Sequence, residues 1–259
     1  MNHQEIADHI ASWLADYAEH SGMRGFVVGV SGGIDSAVTS TLAAMTGRPL
    51  LAVEMPIRQA PAHMRRAREH IEQLEARYAK VSSVEVDLTG VLEALIDALP
   101  EAGNADRHEL SLANTRARLR MTTLYYFAAL ERDLVVGTGN KVEDFGVGFY
   151  TKYGDGGVDL SPIADLTKSE VYALGKALEV CDSILKAPPT DGLWGDNRTD
   201  EDQIGASYPE LEWAMAFFGD EDALDERQRE MLAIYHRHHA ANRHKMDPIP
   251  VCKIPDRLR

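Results

Sequence analysis

The stretch VVGVSGGIDSAVTS, residues 27–40, decides how the rest of the chain is read. Phe26–Val30 is a short, apolar, β-branched run of the kind buried on both faces of a sheet. It stops abruptly at Ser31-Gly32-Gly33-Ile34-Asp35-Ser36, and sequence with helical spacing follows. Strand, glycine loop and helix in that order form a phosphate cradle. Gly32 and Gly33 let backbone N–H groups converge on an anion, Ser31 and Ser36 add hydroxyls, and the helix contributes its positive end. The loop is not a Walker A motif, which requires G-x-x-x-x-G-K-[ST], and GVSGGI lacks the G-x-G-x-x-G dinucleotide fingerprint. An aspartate, Asp35, stands where a lysine would be expected. A carboxylate beside a phosphate calls for a cation between them, which points to Mg²⁺. A competing reading, a helix capped by Ser or Asp after a tight turn, uses the same residues.

Working outward, strand-like runs at 26–30, 50–55, 81–87 and 134–138 alternate with helical stretches near 35–46, 60–79 and 108–132. That alternation predicts an α/β fold: a doubly wound, mainly parallel sheet with helices on both faces. Ligands in such sheets bind beyond the carboxyl ends of the strands, so Ser31–Ser36 and Gly137–Glu143 are expected on one edge. Residues 1–21 read as an amphipathic helix with Ile6, Ile10, Trp13, Leu14 and Tyr17 on one face. Met121, Leu124, Tyr125, Phe127 and Leu130 likewise follow helical spacing, for a core or a subunit contact. Residues 187–205 are acidic, rich in Gly and Pro and aperiodic, as expected of a mobile lid. Helical sequence resumes at 224–244. With no internal repeat and no linker, a single domain over 1–259 is expected.

The formal net charge of −14 argues against a nucleic-acid partner, and RRARE at 65–69 reads as a solvated helix face. Cys181 and Cys252 form no CxxC pattern, so neither a disulfide framework nor a zinc site is implied. His236 and His239 have a spacing that a metal could use, without an accompanying carboxylate or cysteine signature. The N-terminus lacks a signal-peptide core, and no run reaches the ~18 apolar residues of a membrane span. A cytoplasmic protein is expected.

S-G-G-x-D-S after a strand resembles the ATP pyrophosphatases, whose loop grips the leaving pyrophosphate; that use would explain the missing lysine. NTRARLRM (114–121), GTGNKVE (137–143), GFYTKYGDGGVDLSPIADLTKSEVY (148–172), PPTDGLW (188–194), TDEDQIGASYPELE (199–212) and HKMDPIP (244–250) resemble, in order, the ammonia-dependent NAD synthetases. KYGDGG with its DLSP continuation is the most specific of these. The resemblance implies amidation of deamido-NAD by ammonia through an adenylated carboxylate, with ATP as co-substrate and Mg²⁺ as cofactor. It makes Gly29, Val30, Ser31, Gly32, Gly33, Ile34, Asp35 and Ser36 the ATP phosphate loop. Asp35 and Glu143 become the metal ligands, Thr138, Lys168 and Thr190 contacts to ATP, and Asp35 and Lys168 the catalytic pair. Arg118, Lys152, Asp159, His244 and Lys245 would hold deamido-NAD. It also implies a homodimer with deamido-NAD at the subunit interface, which helices near 108–132 help to form.

DFGVGFYT, between Glu143 and Lys152, is one residue longer than the commoner family pattern. Glutamine-using relatives carry an additional hydrolase domain with a cysteine nucleophile. Only about 25 residues precede the loop here and neither cysteine lies in a nucleophile-like setting, so free ammonia is the expected donor unless a separate glutaminase subunit delivers it. Two rivals use the same loop: an adenylating enzyme acting on RNA, and a non-catalytic nucleotide-binding protein. Neither accounts for KYGDGG and HKMDPIP.

Overall fold

A computed structural model describes residues 2–59, 61–101, 103–190 and 199–259. After α1 (His3–His20), strand β1 (Phe26–Gly29) enters the phosphate loop and helix α2 (Ile34–Met45) leaves it. Then follow β2 (Leu50–Glu54), α3 (Pro61–Arg77), β3 (Val81–Glu85), α4 (Thr89–Ala98), α5 (Ala105–Glu131) and β4 (Leu134–Val135). A π-helical segment, Lys141–Val147, precedes α6 (Lys168–Ala177), α7 (Asp182–Leu185), α8 (Asp200–Ile204), α9 (Tyr208–Ala216) and α10 (Glu226–Met246).

The four strands are parallel in the order β3-β2-β1-β4. The chain steps outward from β1 to β3 and then returns to the other side of β1. The order therefore reverses between β1 and β4, and such a reversal opens a crevice at the carboxyl edge. The phosphate loop leaves β1 and GTGN leaves β4, so both predicted segments flank that crevice. The expected doubly wound α/β fold is what the chain forms.

The alternation of side chains along a strand divides the core in two. Phe26, Val28 and Leu134 point to one face, where Leu14 of α1, Val38 and Leu42 of α2 and Leu174 of α6 cover them. Val27, Val53 and Val135 point to the other, against Leu92 of α4 and Ala128 of α5. A third cluster joins the π-helical segment to α8, α9 and α10 through Val142, Val147, Ile204, Leu211, Met231 and Ile234.

Some expectations need correction. Trp13 and Tyr17 do not belong to the buried stripe of α1; they are 42% and 44% exposed. The stripe is Ala7, Ile10, Ala11, Leu14 and Ala18, a narrower band whose alanines let α1 approach α2 and α6 closely. Leu130 is also exposed, at 62%, although Leu124, Tyr125 and Phe127 pack inward. Strand β3 is an edge, and its Ser82, Ser83 and Glu85 face solvent.

Helices α2 and α3 share a buried polar contact behind the loop. His70 is 1% exposed, and its Nε2 lies 2.9 Å from Ser40 Oγ, which itself donates to Ser36 O. Among the described residues, His70 Nδ1 has no hydrogen-bond partner. Burial drives the imidazole pKa down to about 4. The folded chain therefore binds the His70 proton less readily than the unfolded chain, and the stability held above about pH 6.5 is lost as pH falls towards 4. Between pH 7 and pH 5 the wild-type chain is expected to lose about 2 kcal/mol more unfolding free energy than His70→Gln, measured by urea titration at each pH.

Candidate active site

The phosphate loop is built by its own hydroxyls. Ser36 Oγ donates to Gly33 O at 3.0 Å and accepts from Ser31 N at 3.2 Å, while Gly33 N donates to Ser31 Oγ at 3.2 Å. Gly32 has φ +81°, and a Cβ there would stand 2.6 Å from His63 O, so the position requires glycine. The N-cap of α2 is Gly33, without a side-chain cap. Neither Ser31 nor Asp35 is spent on capping, which removes the plain helix-cap reading. The first backbone N–H groups of α2 are left to the crevice.

Three charged side chains from three elements meet there. Lys168 Nζ lies 2.6 Å from Asp35 Oδ2 and 2.7 Å from Glu143 Oε1, and the lysine side chain is only 4% exposed. Asp35 is in the first turn of α2, Glu143 in the π-helical segment, and Lys168 opens α6, held by a capping box between Thr167 and Glu170. Asn140 is fully buried and links the Asp35 carboxylate to the backbone that carries Glu143. Its Nδ2 donates to Asp35 Oδ1 at 3.1 Å, and its Oδ1 accepts the Val142 and Glu143 N–H groups. The Tyr208 hydroxyl donates to Glu143 and stands 3.2 Å from Asp200 Oδ2, with its ring 4.8 Å from Lys168 Nζ.

Charge states follow from burial and pairing. Burial pushes the Asp35 carboxyl up, against the pull of Lys168. Burial acts the same way on Glu143, but Lys168 and the Tyr208 hydroxyl outweigh it and hold Glu143 below the usual range. Burial disfavours the Lys168 cation, yet Asp35 and Glu143 more than restore it. Asp144, beside this group, is raised well above the usual carboxylate range by burial and then by Asp155, Glu143 and Asp35.

Gly29–Ser36, Thr138, Glu143, Lys168 and Thr190 all line one cavity of about 260 Å³, along with Asp144, Asp155 and Asp200. Arg118, Lys152, Asp159, His244 and Lys245 do not line it. Four of these form a neighbouring group: Arg118 donates to Lys152 O, Lys152 Nζ to His244 O, and Lys245 Nζ to Gly148 O and Tyr150 O. Asp159 stands apart, accepting from Val135 N and the Tyr125 hydroxyl. Of the expected lid, Pro188, Pro189, Thr190 and Asp200 border the cavity, while 191–198 lie outside the described residues.

The sequence reading missed Asn140, Asp144, Asp155, Asp200, Tyr208 and Arg66. Asn140, Asp155, Asp200 and Tyr208 sit inside motifs already quoted, so position within a motif was the available signal. Asp144 follows Glu143 directly but carries no signal of its burial. Arg66 belongs to RRARE, where Arg65 and Arg68 are exposed as expected but Arg66 turns to the cavity. Stretch 144–151 begins inside the π-helical segment Lys141–Val147. His239 Nδ1 is bonded to Gly146 O, and among the described residues no group of three or more His, Cys, Asp or Glu side chains could hold a metal. Nor is any described helix long and apolar enough to cross a membrane.

A parallel sheet with a glycine loop and a converging carboxylate pair at its switch point places the protein among the doubly wound α/β folds. The family model described as NAD synthase matches residues 6–247, and the chain belongs to that family. It is 38% identical to the NH(3)-dependent NAD(+) synthetase of Alkaliphilus metalliredigens over 94% of this chain and 96% of the relative. It is 38% identical to that of Carboxydothermus hydrogenoformans over 82% and 85%. Among solved structures, NMN synthetase from Francisella tularensis superposes with a TM-score of 0.82 at 31% identity, covering 99% of both chains. The NH3-dependent NAD synthetase of Campylobacter jejuni gives 0.77 at 26% identity, covering 98% of this chain and 100% of that one.

Removing the Tyr208 hydroxyl takes a donor from a buried, charged acceptor. Tyr208→Phe is expected to lower unfolding free energy by about 1–3 kcal/mol in denaturant titrations.

Proposed function

We propose that this chain is a ligase that amidates the nicotinic acid carboxylate of deamido-NAD with free ammonia, converting ATP to AMP and pyrophosphate. The observation that carries the reading is the Asp35–Lys168–Glu143 cluster beside a lysine-free phosphate loop, in a chain of the NAD synthase family. A carboxylate is a poor electrophile. Its oxygen attacks the α-phosphorus of ATP, the bond to the β-phosphate oxygen breaks, and pyrophosphate leaves. Ammonia then attacks the acyl carbon, sheds a proton, and AMP leaves with the former carboxylate oxygen.

The loop N–H groups and the α2 N-terminus hold the leaving pyrophosphate. Asp35 and Glu143 already satisfy one cation, Lys168 Nζ, at 2.6 and 2.7 Å, so their oxygens are placed for another hard cation. They would hold Mg²⁺, which takes one or two carboxylates and completes its shell with phosphate and water. Its chemistry is to neutralise charge on the phosphates. Lys168, shared between the two carboxylates, borders the same space as Thr138 and Thr190, and all three would contact ATP. Arg118, Lys152, His244 and Lys245 hold deamido-NAD from beside the ATP cavity, and Asp159, which stands apart from them, contacts the same substrate. We further propose a cytoplasmic, single-domain protein that forms a homodimer through α5, where Leu110, Tyr126 and Leu130 are 53–63% exposed.

The likeness to the Francisella NMN synthetase favours a second reading, in which the acid is the mononucleotide and not the dinucleotide. One experiment tests both. Purified protein is given Mg-ATP and either deamido-NAD or the mononucleotide acid, with ammonium chloride or glutamine. NAD, AMP and pyrophosphate appearing one for one with ammonium is the expected outcome, and amidation of the mononucleotide alone selects the second reading. ATP cleaved to AMP without either amide would sink both and direct the search to another acid. Asp35→Asn and Glu143→Gln are each expected to lower kcat by about 100-fold or more.

A further inference from the structure

Arg66 occupies a place that the charge run RRARE does not reveal. It lies near the start of α3, and Nε donates to Gly32 O, inside the phosphate loop, at 3.1 Å. The contact is close-packed: a Cβ at Gly32 would meet His63 O at 2.6 Å and Arg66 Cβ at 3.2 Å. The guanidinium borders the same cavity as Ser31–Ser36, Thr138 and Lys168.

The charges around it are already committed. Lys168 is shared between Asp35 and Glu143. Arg120, the other arginine bordering the cavity among the described residues, donates to Met55 O and Gln59 Oε1. Arg66 forms no salt bridge with any described residue, and its Nη groups make no hydrogen bond there; Nε alone is used. Burial, and then Arg65, lower its pKa, so its cation sits where an anion would stabilise it. A guanidinium fork is matched to phosphate oxygens, and the loop beside it lacks the lysine that phosphate loops of the Walker type carry.

We propose that Arg66 binds the pyrophosphate portion of ATP, and keeps hold of it as the leaving group, supplying from α3 the cation that the loop itself lacks. This rests on the reading of the cavity as an ATP site. The Nε–Gly32 bond fixes the side chain against the loop and leaves the Nη donors for the anion.

The test is calorimetric binding of Mg-ATP, Mg-pyrophosphate and AMP to the wild-type chain, Arg66→Ala, Arg66→Lys and Arg65→Ala. Arg65 is exposed and does not border the cavity, so its variant controls for loss of one positive charge. Arg66→Ala is expected to weaken ATP and pyrophosphate about 10- to 100-fold and AMP less than about twofold, with Arg66→Lys between and Arg65→Ala at wild-type values. In steady state, KM for ATP rises while KM for the nicotinate substrate is unchanged. Unaltered pyrophosphate affinity in Arg66→Ala overturns the assignment, and so does an equal loss for AMP, which would mark a general role in shaping the loop. If Arg66→Ala does not fold, Arg66→Lys decides, since it keeps the charge but loses the fork. If the wild-type chain binds pyrophosphate through Arg66 yet forms no amide, the reaction assignment falls and that of Arg66 stands.

Discussion

One cation held between two carboxylates organises the carboxyl edge of the sheet. Lys168 Nζ contacts Asp35 from the helix after β1 and Glu143 from the segment after β4, and it opens α6 itself. Stripping water from three charged groups is costly, so such a cluster survives only when geometry and additional hydrogen bonds compensate. Here Asn140 and Tyr208 complete the carboxylates, and Thr167 with Glu170 fixes the turn from which Lys168 projects. Taking one member away leaves the others buried and unbalanced, which is why the cluster ties three elements together so firmly.

The same arrangement links fold to chemistry. The reversal of strand order between β1 and β4 opens the crevice, and the two loops that leave those strands deliver opposite requirements into it. The β1 side brings N–H groups that favour an anion, while Asp35 from that side and Glu143 from the β4 side bring carboxylates that repel it. Lys168, and in the proposed reaction Mg²⁺, reconcile the two. Burial and the neighbouring carboxylates push the Asp144 carboxyl upward, which weakens its hold on negative charge beside the site. Arg66 strengthens the anion-binding side from α3.

Much of this was legible in the sequence, for identifiable reasons. Strands β1, β2 and β4 announce themselves as apolar runs because their residues are covered on both faces, and the loop because Gly32 admits no side chain. Asp35 was conspicuous as an acid where a phosphate loop usually has a base. Lys168 and Glu143 came only through the resemblance, since nothing local marks a lysine at a helix start as the partner of an acid 133 residues away. Arg66, Asp144 and Tyr208 were hidden for a related reason: their burial comes from elements remote in sequence. On α1, helical spacing drew the apolar face too wide, because it counted Trp13 and Tyr17 and passed over the alanines that set the close contact.

The most direct measurement is a double-mutant cycle across the central ion pair, with Asp35→Asn, Lys168→Met and the double variant compared by denaturant unfolding. A cluster that organises this edge predicts that the double variant is more stable than the sum of the single losses by about 1–3 kcal/mol. Losses that add within about 0.5 kcal/mol would contradict it. Lys168 and Asp35 would then be neighbours without energetic coupling, and the edge would owe its order to packing alone.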